Sequence, residues 1–164
     1  CIRDSYCTFT EFAKLKWEKI VAGSVRIKGD IVAQDPAEKG MRKLLNFGHT
    51  IGHALESHRL EQGNPILHGF GVIAGMIIET KLSFDKGLIN EHYFNKTVAA
   101  LDKLYDRTPI LSEDIAPMID RMKNDKKNHT EEINFTLLEG IGKGVYNQTA
   151  TEEEITAAIT WYFS

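Results

Sequence analysis

Apolar residues between positions 9 and 34 (Phe9, Phe12, Leu15, Trp17, Ile20, Val21, Val25, Ile27, Ile31 and Val32) recur mostly at spacings of three and four. A helix with one buried stripe needs that period. The pattern therefore predicts helix here, with Gly23 as the point where it divides in two. DPAEKG (35–40) stops it: Pro36 opens a turn and Gly40 supplies backbone freedom. Helical periodicity resumes over about 43–59, and the Gly, Asn and Pro of EQGNP (61–65) mark a loop. From His68 to about residue 85 the chain is apolar on nearly every side, as a central helix packed all round would be. Gly69, Gly71 and Gly75 each cost roughly 1 kcal/mol inside a helix, so their expected use is close approach of neighbouring helices. Residues 90–105 read as an amphipathic helix. Residues 112–125 read as another, capped by Ser112 with Glu113 and Asp114 in its first turn.

The period then changes. INFTLLE and its neighbours (132–139) alternate and are rich in strand formers. GIGKG (140–144) turns and VYNQ (145–148) returns, which predicts a hairpin. GIGKG is not read as a phosphate loop, because that needs strand, turn and helix in succession. A last helix spans 149–163, with Thr149 or Thr151 as its cap and Glu152 to Glu154 in its first turn. The expected fold is mainly α, a multi-helix domain over residues 1–164 with a small β-hairpin near the C-terminus. Leu45, Ile51, Ala54, Val72, Ile73 and Met76 are its expected core.

Composition narrows the function classes. The chain has 164 residues, 42% hydrophobic and 26% charged, with a net charge of −3. Nothing in that balance points to nucleic acid or an anionic membrane as partner. No stretch approaches the 18 or so apolar residues of a membrane span. Cys1 and Cys7 alone are no disulfide framework, and a cytoplasmic location is the expectation. The chain opens on Cys1 without an initiator methionine and shows no secretory leader.

LNFGHTIGHALE (45–56) carries the candidate chemistry. His49 and His53 stand at i and i+4 on one helical face, with Glu56 close to it. That is the spacing of the helical half of many metal sites. His68 follows a loop and can fold back beside either histidine. Spacing alone leaves metal binding and a hydrogen-bonded core role both open, and it pairs His49 with His53. His58, His92 and His129 lack such a setting and read as surface residues. Upstream, Lys28, Glu38, Arg42 and Asn46 could be solvated helix residues or could contact a carboxylate, phosphate or hydroxyl. Lys126 and Lys127 sit in a charge run that reads first as a solvated face.

Together, RIKGDIVAQDPAEKGMRKLLNFGHTIGHALE, the later LHG, MKNDKKN and INFTLLEGIGKG resemble the C-terminal domain of the 3-dehydroquinate synthase family. The resemblance runs from about residue 14 onward. It implies a two-domain enzyme that turns 3-deoxy-D-arabino-heptulosonate 7-phosphate into 3-dehydroquinate and phosphate, in the shikimate route to aromatic amino acids. Its N-terminal domain binds NAD and supplies one ligand to a Zn2+ (or Co2+) ion. The full-length enzyme is expected to be a homodimer. The present sequence lacks any nucleotide-binding half.

The resemblance also implies roles. His49 and His68 become the metal ligands, so the pairing by spacing is set aside. His53 becomes a substrate-contacting group in proton transfer, and Glu38 an acidic catalytic group. Lys28, Arg42 and Asn46 become substrate contacts, and one of Lys126 and Lys127 reaches the substrate phosphate. Many members follow the second ligand's HG with Glu-Ala. Here Phe70-Gly71 stands there, a change expected to alter packing and leave ligation alone. The alternatives are another sugar-phosphate cyclase of the same superfamily, a metal-dependent alcohol dehydrogenase, which the LNFGHTIGHALE block disfavours, and a non-catalytic metal-binding helical module.

Overall fold

A computed structural model describes residues 16–103, 105–124, 133–140 and 142–164. Six α-helices and one hairpin follow in order: α1 Trp17–Gln34, α2 His49–Glu61, α3 His68–Asp85, α4 Glu91–Asp102, α5 Ile115–Asn124, β1 Ile133–Gly140, β2 Lys143–Ala150 and α6 Glu152–Phe163. The mainly helical class with a terminal hairpin is as the sequence implied. β1 and β2 pair antiparallel, from Ile133 opposite Ala150 to Gly140 opposite Lys143, with two register irregularities between.

α3 is the centre. It packs against α2, α4, α6 and β1. Ile77, Ile78 and Leu82 of α3 meet Ile51 and Leu55 of α2, Met118 of α5, Leu137 of β1 and Ile155 and Ile159 of α6 in one core. Of the expected core residues, Ile51 and Ala54 are buried, while Leu45, Val72, Ile73 and Met76 are half-buried. α2 and α3 approach closely through glycine. A side chain on Gly75 would collide with the Gly48 carbonyl, and one on Gly52 with the Gly71 carbonyl. Gly71 and Gly75 thus serve the close approach expected of them. Gly69 faces open space and does not.

α1 departs from expectation. It runs unbroken through Gly23, and none of its residues is buried. Phe9, Phe12 and Leu15 of the predicted stripe lie outside the described residues; of the rest, Trp17, Val21 and Val25 are exposed and Ile20, Ile27, Ile31 and Val32 reach intermediate burial. The helix lies along the short 3₁₀ turn at Met41–Asn46 and not across the core.

Local chemistry explains most boundaries. The Asp35 carboxylate accepts the N–H groups of Gly40 (2.7 Å), Lys39 (3.0 Å) and Arg42 (3.1 Å), and so organises the DPAEKG turn. Those N–H bonds, Gly40 first, hold its carboxyl below the usual value of 3.8. Asn90 caps α4 by accepting Tyr93 N–H at 3.0 Å. Thr151 caps α6 in a reciprocal box: its hydroxyl accepts Glu154 N–H and the Glu154 carboxylate accepts Thr151 N–H. Before α5 the expected cap is corrected. Residues Ser112–Asp114 form a 3₁₀ turn, and Asp114, not Ser112, satisfies the turn by accepting Leu111 N–H at 2.8 Å.

Candidate metal centre and its cleft

The helix expected over 43–59 is broken, and the break builds the site. Met41–Asn46 is a 3₁₀ turn, Phe47 is extended (ψ 124°), and Gly48 adopts φ +83°. Only glycine enters that left-handed region freely. The bend lets α2 begin at His49, with its first N–H groups uncovered. Glu79, fully buried on α3, fills that gap: its carboxylate accepts Gly48 N–H at 2.5 Å and Ile51 N–H at 3.5 Å. A carboxyl at a helix N-terminus is favoured by the helix dipole and by the orphan donors there. Burial nonetheless dominates and pushes the Glu79 carboxyl up to about 8, against the pull of Gly48, Ile51 and Thr50 N–H. Sequence reading passed over Glu79, a lone acid in an apolar run, because its partners stand 31 and 28 residues away.

Three imidazoles converge at this end of the α2–α3 pair. His49 and His53 project from the first turns of α2, and His68 from the first residue of α3. Their ring centroids form a near-equilateral triangle of 5.2, 5.5 and 5.6 Å. A ligand nitrogen from each lies within 4.8 Å of the other two. That spread fits the chemistry of a divalent metal that takes imidazole nitrogen.

The three rings are held differently. His49 Nδ1 stands 3.2 Å from the Phe47 carbonyl oxygen, and His68 Nδ1 stands 3.0 Å from Glu56 Oε2. Both partners are acceptors, so each neutral ring carries its hydrogen on Nδ1 and presents the lone pair of Nε2. Metal-ligating histidines characteristically have that oxygen partner. His53 touches the other two rings and has no such oxygen partner among the described residues. Burial first, and then the charges of His53, His68 and Lys28, hold the His49 imidazole below its usual 6.5. That favours the neutral form a metal requires.

A cavity of ≈ 570 Å³ opens beside the triad, lined by Glu38, Asn46, His49, Thr50 and His53 on one side and by Asn134 to Thr136 and Asn147 of the hairpin on the other. Glu38 and Asn147 are the two non-glycine residues with positive φ among the described residues (+54° and +56°). Such backbone costs on the order of 1–3 kcal/mol and gathers at functional sites. Asn46 Nδ2 donates to Glu38 Oε1 at 2.8 Å, and Arg42 Nε lies 3.7 Å from Glu38 Oε2. Arg42 spends a further donor on the Pro36 carbonyl at 2.9 Å.

The cleft therefore gathers Glu38, Asn46, His49 and His53 as expected, with His68 adjoining. Arg42 backs Glu38 and does not line the cavity, and Lys28 stays exposed on α1. Lys126 and Lys127 lie outside the described residues. Lys43, which sequence reading passed over, lines the cavity. Its ammonium donates to Asn147 Oδ1 at 2.8 Å and lies 5.9 Å over the Tyr146 ring. Phe70 meets Tyr105 edge to face at 5.1 Å, a packing contact as expected. His92 is exposed, and His129 lies outside the described residues. His58 corrects the surface expectation. It is buried, with Nε2 2.7 Å from Asp114 Oδ1.

Comparison with known proteins bears on the family and the fold. Residues 2–128 match the family described as 3-dehydroquinate synthase C-terminal. The 3-dehydroquinate synthase of Parabacteroides distasonis is 39% identical over 143 residues, covering 87% of this chain and 40% of that one. The same enzyme of Thermoanaerobacter pseudethanolicus is 39% identical over 143 residues, covering 85% and 38%. The chain thus spans about two fifths of the length of these relatives. A crystal structure of 2-deoxy-scyllo-inosose synthase with carbaglucose-6-phosphate, NAD+ and Co2+ superposes with a TM-score of 0.74 at 25% identity, over 87% of this chain and 41% of that one. With residues 2–128 matched, the chain belongs to the 3-dehydroquinate synthase C-terminal family.

Proposed function

We propose that this chain is the metal- and substrate-binding part of a 3-dehydroquinate synthase, acting on 3-deoxy-D-arabino-heptulosonate 7-phosphate. The observation that carries the reading is the pair of Nδ1 anchors. Phe47 O and Glu56 leave the Nε2 atoms of His49 and His68 available, while His53 has no such oxygen partner among the described residues. His49 and His68 would hold a Zn2+ or Co2+ ion, with a further ligand from the part of the relatives that this chain does not span. When bound, the ion supplies a Lewis acid for an alcohol or ketone oxygen.

The chain's own groups do the rest. His53, close to the two ligands and facing the cavity, moves a proton to or from substrate. Glu38 offers a carboxylate beside it, aimed by Asn46 and Arg42. Asn46 contacts a substrate hydroxyl. Lys43 on the hairpin side and Lys28 on α1 supply positive charge for the substrate's phosphate or carboxylate, and Lys126 or Lys127 joins them. The substrate would sit in the cleft between this surface and the part of the relatives that this chain does not span, which would hold NAD as the hydride acceptor and donor.

Phosphate release tests the reading. The chain alone is expected to release none from the substrate, even with NAD and zinc supplied. Fused to the missing portion of the Parabacteroides distasonis relative, it is expected to turn over, and His49→Ala in that fusion to stop it. Turnover by the chain alone, or full activity of the fused His49→Ala variant, would overturn the proposal. The second reading, a non-catalytic metal-binding module, predicts that the folded fusion stays inactive while binding zinc.

A further inference from the structure

We propose that Glu56 is a positioning residue for the metal centre: its carboxylate fixes His68 in the tautomer whose Nε2 faces the other histidines. The proposal rests on the reading of His68 as a ligand and deepens it: the Glu56 contact becomes a cause of metal affinity that can be removed and measured.

Three observations converge. His68 is the first residue of α3, directly after the 62–67 loop, and its side chain is 55% exposed. Its ring meets the rings of His49 and His53, and Glu56 is the polar partner that the described residues give it. An imidazole so placed rotates freely unless something outside its own helix holds it. Glu56 lies seven residues after His49 and three after His53, so the helical period returns it to the histidine face of α2. It reaches across to His68 Nδ1 at 3.0 Å. A carboxylate only accepts, so Nδ1 must donate, and the neutral ring then has its lone pair on Nε2. His49 receives the same instruction from the Phe47 carbonyl. α2 thus carries one ligand and the residue that orients the other.

The competing reading is an exposed His–Glu pair of little consequence, as most surface pairs are. A pair of that kind leaves the tautomer of His68 unselected, and this separates the two.

The experiment uses the ¹⁵N-labelled chain without metal at about pH 8, where imidazoles are neutral. Long-range proton–nitrogen correlations report which ring nitrogen carries hydrogen. His68 is expected as the Nδ1–H tautomer in the wild type. Glu56→Ala should revert it to the Nε2–H form that free imidazole side chains prefer. Glu56→Gln, whose amide oxygen still accepts, should keep it on Nδ1. Zinc titration of the same three proteins should show Glu56→Ala weaker by about 10- to 100-fold, the usual cost of losing such a partner, and Glu56→Gln weaker by less. Glu56 is only partly buried, so equal thermal midpoints check that all three fold. An unchanged His68 tautomer in Glu56→Ala overturns the proposal, as does a changed tautomer with unchanged zinc affinity. Failure of the ligand reading looks different: zinc affinity would then survive His68→Ala, whatever the tautomer shows.

Discussion

Among the described residues, two imidazole–carboxylate pairs use opposite ring nitrogens. His58 commits Nε2 to Asp114 at 2.7 Å, with Gln62 Nε2 also 3.0 Å away, and the side chains are 8% and 1% exposed. His68 commits Nδ1 to Glu56 at 3.0 Å, with side chains 55% and 35% exposed. The first pair ties the C-terminal end of α2 to the turn before α5. Arg59 joins it, 3.3 Å from Asp114 Oδ2. Out of reach of solvent, this pair stitches two elements together. The second pair leaves Nε2 free and stands where side chains must still meet an ion and a substrate. One helix carries both arrangements, and burial together with the choice of nitrogen separates structure from chemistry.

Breaking the buried pair should give the largest effect. Asp114→Ala removes the carboxylate that accepts from His58, Arg59, Gln62 and Leu111 N–H, leaving Arg59 only the Pro109 carbonyl and Gln62 Oε1. The expected loss is about 3–5 kcal/mol, the cost of removing one partner of a buried pair, read by urea denaturation, with zinc affinity unchanged in whatever remains folded. Burial pushes the Asp114 carboxyl up, but the bonds from Leu111 N–H, His58, Arg59 and Gln62 outweigh it and hold it below the usual 3.8. Its contribution is therefore present above about pH 3.8 and drains as pH falls below that. A loss under 1 kcal/mol would mean that the pair is incidental.

Glu79 titrates in the other sense. Its folded-state pKa of about 8 lies above the ordinary 4.5, so the folded chain keeps a proton that the unfolded chain releases. Its contribution is full below pH 4.5 and lost as pH rises through about 8. At about 1.4 kcal/mol per unit, the change over that window should be a few kcal/mol. Glu79→Gln should flatten the dependence; an unaltered slope would contradict the assignment.

At the exposed pair, stability should barely move and affinity should. His68→Ala is expected to weaken zinc by about a hundredfold or more, beyond what losing an outer partner costs, with the urea midpoint unchanged. Tight stoichiometric binding that survives the substitution would revive the His49–His53 pairing by spacing.

What the sequence made legible was local. Periods of three and four located α3 to α6 within a few residues but ran α2 through the Met41–Asn46 turn, and alternation located the hairpin. Gly71 and Gly75 announced the close α2–α3 contact, and LNFGHTIGHALE announced the histidines. What it hid depends on distant partners. The break at Phe47 and Gly48 reads as continuous helix until Glu79 is known to cap α2 from another helix. His58 reads as a surface residue because Asp114 lies 56 positions on. The apolar set of α1 looked like a core stripe because periodicity reports a face and not what covers it. Lys43 looked like one more cation beside Arg42, and only the fold of the hairpin shows which of the two lines the cavity.

The central claim is that His49 and His68 ligate metal and His53 does not. Imidazole ¹⁵N shifts recorded while zinc is titrated into the labelled chain test it most directly, since they read each ring separately even where binding is weak. The Nε2 signals of His49 and His68 are expected to move together with added zinc while those of His53 stay in place. Movement of His49 and His53 with His68 unmoved would contradict it.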